Sequence, residues 1–189
     1  MWKIRLVISL ALFAISPAVR AQAQAAPQLT VSYTGNFLIH PGLRVGYEFP
    51  IEGLPVGESS QLRSFLRPQI GTFTYIDRNT NYLLGADLGV RRQKTGKKSA
   101  AALSLGLNYL GESEKLGFAV NLGSGDRSDV QREWRHYFLP TLNYQWSTAI
   151  GKKNRCFTQV NWGYALSTKR ESEMYLLLDI GIKFSMKKT

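Results

Sequence analysis

The stretch NYLLGADLGVRR, Asn81–Arg92, decides the fold. Tyr82, Leu84, Ala86, Leu88 and Val90 are apolar, and between them stand Asn81, Leu83, Gly85, Asp87, Gly89 and Arg91. A period of two throws successive side chains to opposite faces of an extended strand. This segment therefore has one greasy face and one face bearing charges of both signs. No convincing helical spacing of three and four residues appears after Ala26.

The alternation recurs on either side. Upstream, Leu43, Val45, Tyr47, Phe49 and Ile51 oppose Arg44, Gly46 and Glu48. In 62–77, Leu66, Pro68, Ile70, Thr72 and Ile76 oppose Arg63, Phe65, Arg67, Gln69, Tyr75 and Asp77. Downstream, Ala101, Leu103, Leu105, Leu107 and Tyr109 oppose Ser104, Gly106 and Asn108, and Leu116, Phe118, Val120 and Leu122 oppose Gly117, Ala119 and Asn121. Phe138, Leu142, Tyr144 and Trp146 face away from Thr141, Asn143 and Gln145. Val160, Trp162, Tyr164 and Leu166 do the same against Gln159, Asn161 and Gly163. Last, Leu176, Leu178, Ile180, Ile182, Phe184 and Met186 oppose Tyr175, Asp179, Gly181 and Lys183.

Within these eight segments the apolar face of the strand interiors holds no Asp, Glu, Lys or Arg. A soluble sandwich also alternates, but two features separate this chain from one. Several segments run to 12–18 residues, against about 5–6 in ordinary sheets. Rings also gather toward segment ends on the apolar face, at Tyr47, Phe49, Tyr82, Tyr109, Trp146, Trp162 and Tyr164. Amphipathic rings settle at a membrane interface. Strands can cross hydrocarbon only as a closed barrel, which satisfies every backbone group.

The expected fold is all-β: a closed antiparallel up-and-down transmembrane β-barrel of eight strands over 42–189, with ten strands as the alternative. The segment LTVSYTGNFL, 29–38, makes 26–41 an N-terminal arm or an additional strand. Connections are expected at 52–61, 78–79, 93–97, 112–114, 124–132, 151–153 and 168–171. With both termini in the periplasm, 52–61, 93–97, 124–132 and 168–171 lie outside, and the rest are short periplasmic turns.

Residues 1–25 precede this pattern. Lys3 and Arg5 form a basic start, LVISLALFAISPAV is an apolar run shorter than the roughly 20 residues of a helical span, and small residues follow. This reads as a signal peptide, cleaved after Ala23 or Ala25, and export together with the barrel pattern points to the bacterial outer membrane. Loss of Lys3, Arg5 and Arg20 lowers the formal charge from +11 to +8. In that compartment the basic surplus points to anionic lipid headgroups rather than nucleic acid. The single cysteine, Cys156, excludes an intrachain disulfide and a cysteine metal cluster.

DIGIKFSM, Asp179–Met186, resembles the C-terminal signal by which bacterial outer-membrane barrels are recognised for insertion. The resemblance rests on Asp179, Gly181, Phe184 and Met186, and here Lys187, Lys188 and Thr189 follow. A second resemblance covers NFLIHPGLRVGYEFPI and RPQIGTFTYIDRNTNYLLGADLGVRR. These are similar to small outer-membrane barrels of Bacteroidetes-type bacteria, which implies fold and location but no chemistry.

A polar lumen is expected from Arg44, Glu48, Arg67, Asp87, Arg91, Asn143, Gln159, Asp179 and Lys183. Eight strands leave an interior about wide enough for their own side chains, and unpaired buried ions are costly. These groups are therefore read as pairing into a plug rather than lining a channel. Outer-membrane enzymes of the deacylase or acyltransferase type need a nucleophile beside a base. His136 with Ser124 is the best such pair, and the bland reading of His136 is an interfacial ring. His40, before Pro41, is placed where the chain enters the barrel. Cys156 is read as a passive small residue, and GSGDRSDV lacks the later Glu of an EF-hand calcium loop.

The function expected is a non-enzymatic, monomeric outer-membrane barrel without cofactor or metal. Its partners are membrane lipid and the insertion machinery, and its role is envelope integrity or ligand recognition through 52–61 and 124–132. An outer-membrane lipid-modifying enzyme and a periplasmic lipocalin-like soluble barrel are the alternatives.

Overall fold

A computed structural model describes residues 26–35, 40–51, 60–75, 79–94, 96–115, 132–151, 153–167 and 172–186. They form eight strands: β1 (Gln28–Gly35), β2 (Gly42–Ile51), β3 (Ser60–Tyr75), β4 (Asn79–Lys94), β5 (Ser99–Lys115), β6 (Arg132–Ile150), β7 (Asn154–Ala165) and β8 (Glu173–Ser185). Each pairs antiparallel with its sequence neighbours. β1 returns to β8, with Gln28 opposite Ser185 and Gly35 opposite Leu178, and the sheet closes into an up-and-down barrel.

Alternation fixes which face is which. Leu84, Leu88, Leu103, Leu105, Leu107, Leu142 and Ile180 are exposed on the outer wall, while Asn81, Asp87, Asn108, Asn143 and Asp179 are buried in the lumen. A lipocalin-like barrel needs the reverse, with rings such as Trp146 and Trp162 in its core, whereas here both stand outward. Toward the termini the outer wall carries Tyr47, Phe49, Tyr144, Trp146 and Phe184; toward the other end it carries Tyr82, Tyr109, Trp134, Phe138, Trp162 and Tyr164.

Several expectations need correction. Of the two readings of 26–41, the additional strand is the one present, as the closing strand β1 over Gln28–Gly35, so the eight strands begin before 42 and the ten-strand alternative gives way to eight. Residues 112–114, expected as a turn, continue β5, where Glu112 sits opposite Arg135 and Ser113 opposite Trp134. The segment 116–122 lies outside the described residues, as do 1–25, Ser124 and 187–189. The extra strand and the missing turn also change which end each connection joins. The strand ends flanking 52–59 and 95–98 lie on the terminus side, and those flanking 76–78 lie on the far side. The two differences cancel beyond β5, so the strand ends flanking 151–153 stay on the terminus side and those flanking 116–131 and 166–172 stay on the far side.

Two terminus-side turns use glycine at positive φ, Gly96 at 74° and Gly151 at 67°, a region that costs other residues their Cβ clearance. Pro68 and Pro140 lie inside strands. The β2–β3 ladder skips from Gly46 opposite Gln69 to Phe49 opposite Leu66. The β6–β7 ladder runs to Thr141 opposite Gly163, and beyond Pro140 a lone bridge joins Phe138 to Leu166. Each proline lacks the amide proton a ladder bond needs.

Candidate functional site

The lumen is built in layers because inward positions of different strands meet at similar depths. Nearest the termini, the Glu48 carboxylate, 3% exposed, accepts from Lys183 Nζ at 2.7 Å and pairs with Arg91 at 2.6 Å. One acid thus serves two cations. The Phe65 ring lies among them, with the Arg91 guanidinium 5.3 Å and Lys183 Nζ 5.9 Å from its centroid. Phe157 offers a second face to Lys183 at 5.4 Å. The ring quadrupoles supply the attraction water would otherwise give these cations.

Two further pairs occupy the middle. Arg44 donates to Asp179 at 2.9 Å and to Asn161 at 3.3 Å. Arg67 meets Asp87 at 2.5 Å and Gln159 at 2.8 Å. Gln69 bridges Asp87 and Asn108, Gln145 donates to Gln159, and Asn143 reaches Ser104. Charges this deep persist because each is met by an opposite charge and by amide dipoles. Gly106 is a sequence consequence of the layer: a Cβ there would come within 2.5 Å of Asp87 Oδ1.

Beyond this layer the lumen is greasy, which the alternation did not foretell. Phe73, Leu83, Leu110, Leu139, Ala165 and Leu177, with Tyr137 and Tyr175, form one buried cluster inside the barrel. The far mouth is edged by Glu112, which accepts from Tyr137 and Asn79, and by Arg135, paired with Glu114 and Glu133. His40 packs its ring 3.9 Å from Tyr75 at this end.

All nine residues expected in the lumen are inward, and Arg91 is the most exposed of them, with 13% of its side chain exposed. They do not form a single network: Glu48, Arg91 and Lys183 make one group, Arg67, Asp87, Gln159, Arg44 and Asp179 make a second joined through Asn161, and Asn143 bonds Ser104. Of the C-terminal signal residues, Asp179 is committed to Arg44 and Gly181 backs onto Ser32, while Phe184 and Met186 point outward. Glu112, Arg135 and Tyr137 were missed because the alternation was stopped short at both strand ends. Extending the parity of Asn108 by four residues and of Thr141 back by four and six finds all three.

His136 stands on the outer wall, hydrogen-bonded to Tyr109 Oη and stacked on that ring. Ser124 is not among the described residues. Cys156 is likewise outward, with Sγ 3.8 Å from the Thr148 carbonyl. Among the described residues no group of three or more His, Cys, Asp or Glu is placed to hold a metal ion.

No protein-family model matches the chain. No curated protein matches it either. A solved structure that does match is the N-terminal β-barrel domain of Pseudomonas aeruginosa OprF, 12% identical, covering 87% of this chain and 100% of that one, with a TM-score of 0.46. So distant a likeness carries no argument about function, and the barrel stands on its own strand register. The resemblance to Bacteroidetes-type barrels is therefore not established as membership of a family.

Proposed function

We propose that this chain is a bacterial outer-membrane β-barrel, exported by a signal peptide cleaved near Ala23 or Ala25, whose role is non-enzymatic. The observation that carries this reading is the outward apolar wall of a closed barrel, banded by rings at both ends. Leu105 and Leu107 there are 65% and 62% exposed, a state water would penalise and lipid would not. The paired charges and the apolar layer beneath them support a lumen closed to solutes. The protein then serves envelope integrity, or recognises a ligand through far-side connections such as 116–131. The connection after β2 joins strand ends on the terminus side, so 52–61 does not serve surface recognition. In this orientation the termini are periplasmic, and Asp179, Gly181, Phe184 and Met186 serve insertion by the barrel-assembly machinery.

Fractionation with unboiled and boiled gel samples tests the placement. The protein should sediment with outer membrane and change mobility on boiling; a soluble periplasmic protein of constant mobility sinks the reading. Reconstituted in a planar bilayer, the barrel should give no steady conductance, whereas stable open steps would mean a channel. Nothing favours the lipid-modifying alternative, since the only polar partner of His136 among the described residues is Tyr109. His136→Ala should leave lipid A and phospholipid acylation unchanged by mass spectrometry, and an altered acyl pattern would reinstate the enzyme.

A further inference from the structure

The terminus-side mouth holds a recess of about 70 Å³, several times the space a single water needs. Its wall includes Glu48, Arg63, Phe65, Arg91, Gln93 and Arg155. Charge in this wall is lopsided. Glu48 is already shared between Arg91 and Lys183. Arg155 bonds neutral acceptors, the Lys98 carbonyl at 2.8 Å and Ser147 Oγ at 3.4 Å. Arg91 Nε is buried in the wall without a partner. Around the rim, Lys94, Lys97, Lys98 and Lys153 are exposed, and none has an ion-pair partner among the described residues.

We propose that this recess is a binding site for a phosphate-type oxyanion, held between the Arg91 and Arg155 guanidiniums. Guanidinium N–H groups bind phosphate oxygens through charge-assisted hydrogen bonds. Arg91 has both terminal nitrogens on Glu48 and offers Nε, and Arg155, with Nε on Ser147 and one terminal nitrogen on the Lys98 carbonyl, offers the other terminal nitrogen. The Phe65 ring, also in the recess wall, lies against the Arg91 guanidinium and helps to fix it, which spares the ligand part of the ordering cost. The lysine rim raises the local anion concentration by attraction over a Debye length. The oxyanion is either free phosphate or the headgroup of an anionic phospholipid in the leaflet on the terminus side. The second source alone rests on the membrane reading above.

The test is an amide NMR titration of the full mature chain in zwitterionic micelles with inorganic phosphate, against chloride at equal ionic strength. Amides of residues 91–93 and 155 should shift saturably. Arg155→Gln, which leaves no acid unpaired, should weaken the effect about tenfold or more, the scale of one lost charge-assisted contact; Arg155→Lys should restore part of it. The same amides are then followed in phosphatidylcholine nanodiscs with and without phosphatidylglycerol. Shifts on adding phosphatidylglycerol that block phosphate identify the lipid as source, and shifts with phosphate only identify the free anion. Shifts no larger than with chloride, or unchanged in Arg155→Gln with its boiling-dependent mobility intact, overturn the site. Because the micelle titration needs only a folded barrel, it can fail while outer-membrane placement stands, and the reverse.

Discussion

Glu48→Ala should destabilise the folded barrel by about 3–5 kcal/mol, the cost of leaving a buried charge without its partner. Lys183 is 0% exposed and its ion-pair partner is Glu48. The two aromatic faces around it cannot replace a carboxylate. Arg91 loses the same partner but lies closer to the mouth, where solvent offsets part of the loss. The measurement is the urea midpoint of the refolded protein in micelles, followed by tryptophan fluorescence and by mobility on unboiled gels. Glu48→Leu combined with Lys183→Met removes the stranded ammonium as well, and should recover much of the deficit, since an apolar pair of similar volume is often as stable as a buried ion pair. If Glu48→Ala costs no more than about 1 kcal/mol, the scale of an ordinary hydrogen bond, Lys183 is hydrated and the lumen is open to water at that level.

Leu105→Arg acts on the opposite face. Leu105 stands outward between Leu88 and Leu142, its partners on the neighbouring strands. Both of its direct cross-strand partners are leucine, with Leu103 and Leu107 two residues away on its own strand. At the midplane of a bilayer, arginine on the lipid face of a barrel costs about 2–4 kcal/mol, falling to about 0–1 kcal/mol near the interfaces. Leu105→Arg should therefore fold with a lower midpoint in phospholipid vesicles, while Met174→Arg, 67% exposed beside the far end of β8, should change little. In a barrel surrounded by water the ordering disappears, because an exposed leucine replaced by arginine is close to neutral there. Equal effects at both positions would show that the leucine belt does not sit in hydrocarbon.

The two variants probe faces that the alternation of Asn81–Arg92 had already separated. Strand parity is local: each residue's side is set by its neighbour's, so Asp87, Arg91, Asp179 and Lys183 could be assigned to one face without knowledge of any partner strand. Counting strands was harder. Leu29, Val31 and Tyr33 alternate with Thr30, Ser32 and Thr34, but the run is short and carries no charge, and only pairing with β8, some 150 residues away in the chain, closes the barrel with it. GESE at 111–114 has the composition of a turn, yet in β5 Glu112 is inward and bonded to Tyr137 and Asn79. The strand total was right although its members differed, and the errors at 29–38 and 112–114 cancelled in the topology beyond β5.

By itself the sequence determined a closed β architecture with an apolar outer wall and a charged interior, because periodicity and composition act residue by residue. The tertiary structure decided which charges meet. That Glu48 serves both Arg91 and Lys183, that Arg44 takes Asp179, and that Arg155 bonds the Lys98 carbonyl and Ser147 depend on barrel closure and register. Both are long-range properties that side chains on one strand cannot encode alone. The apolar layer across the far half of the lumen has the same origin: Phe73, Leu83, Leu110, Leu139 and Leu177 look like lapses in separate polar faces until closure packs them together.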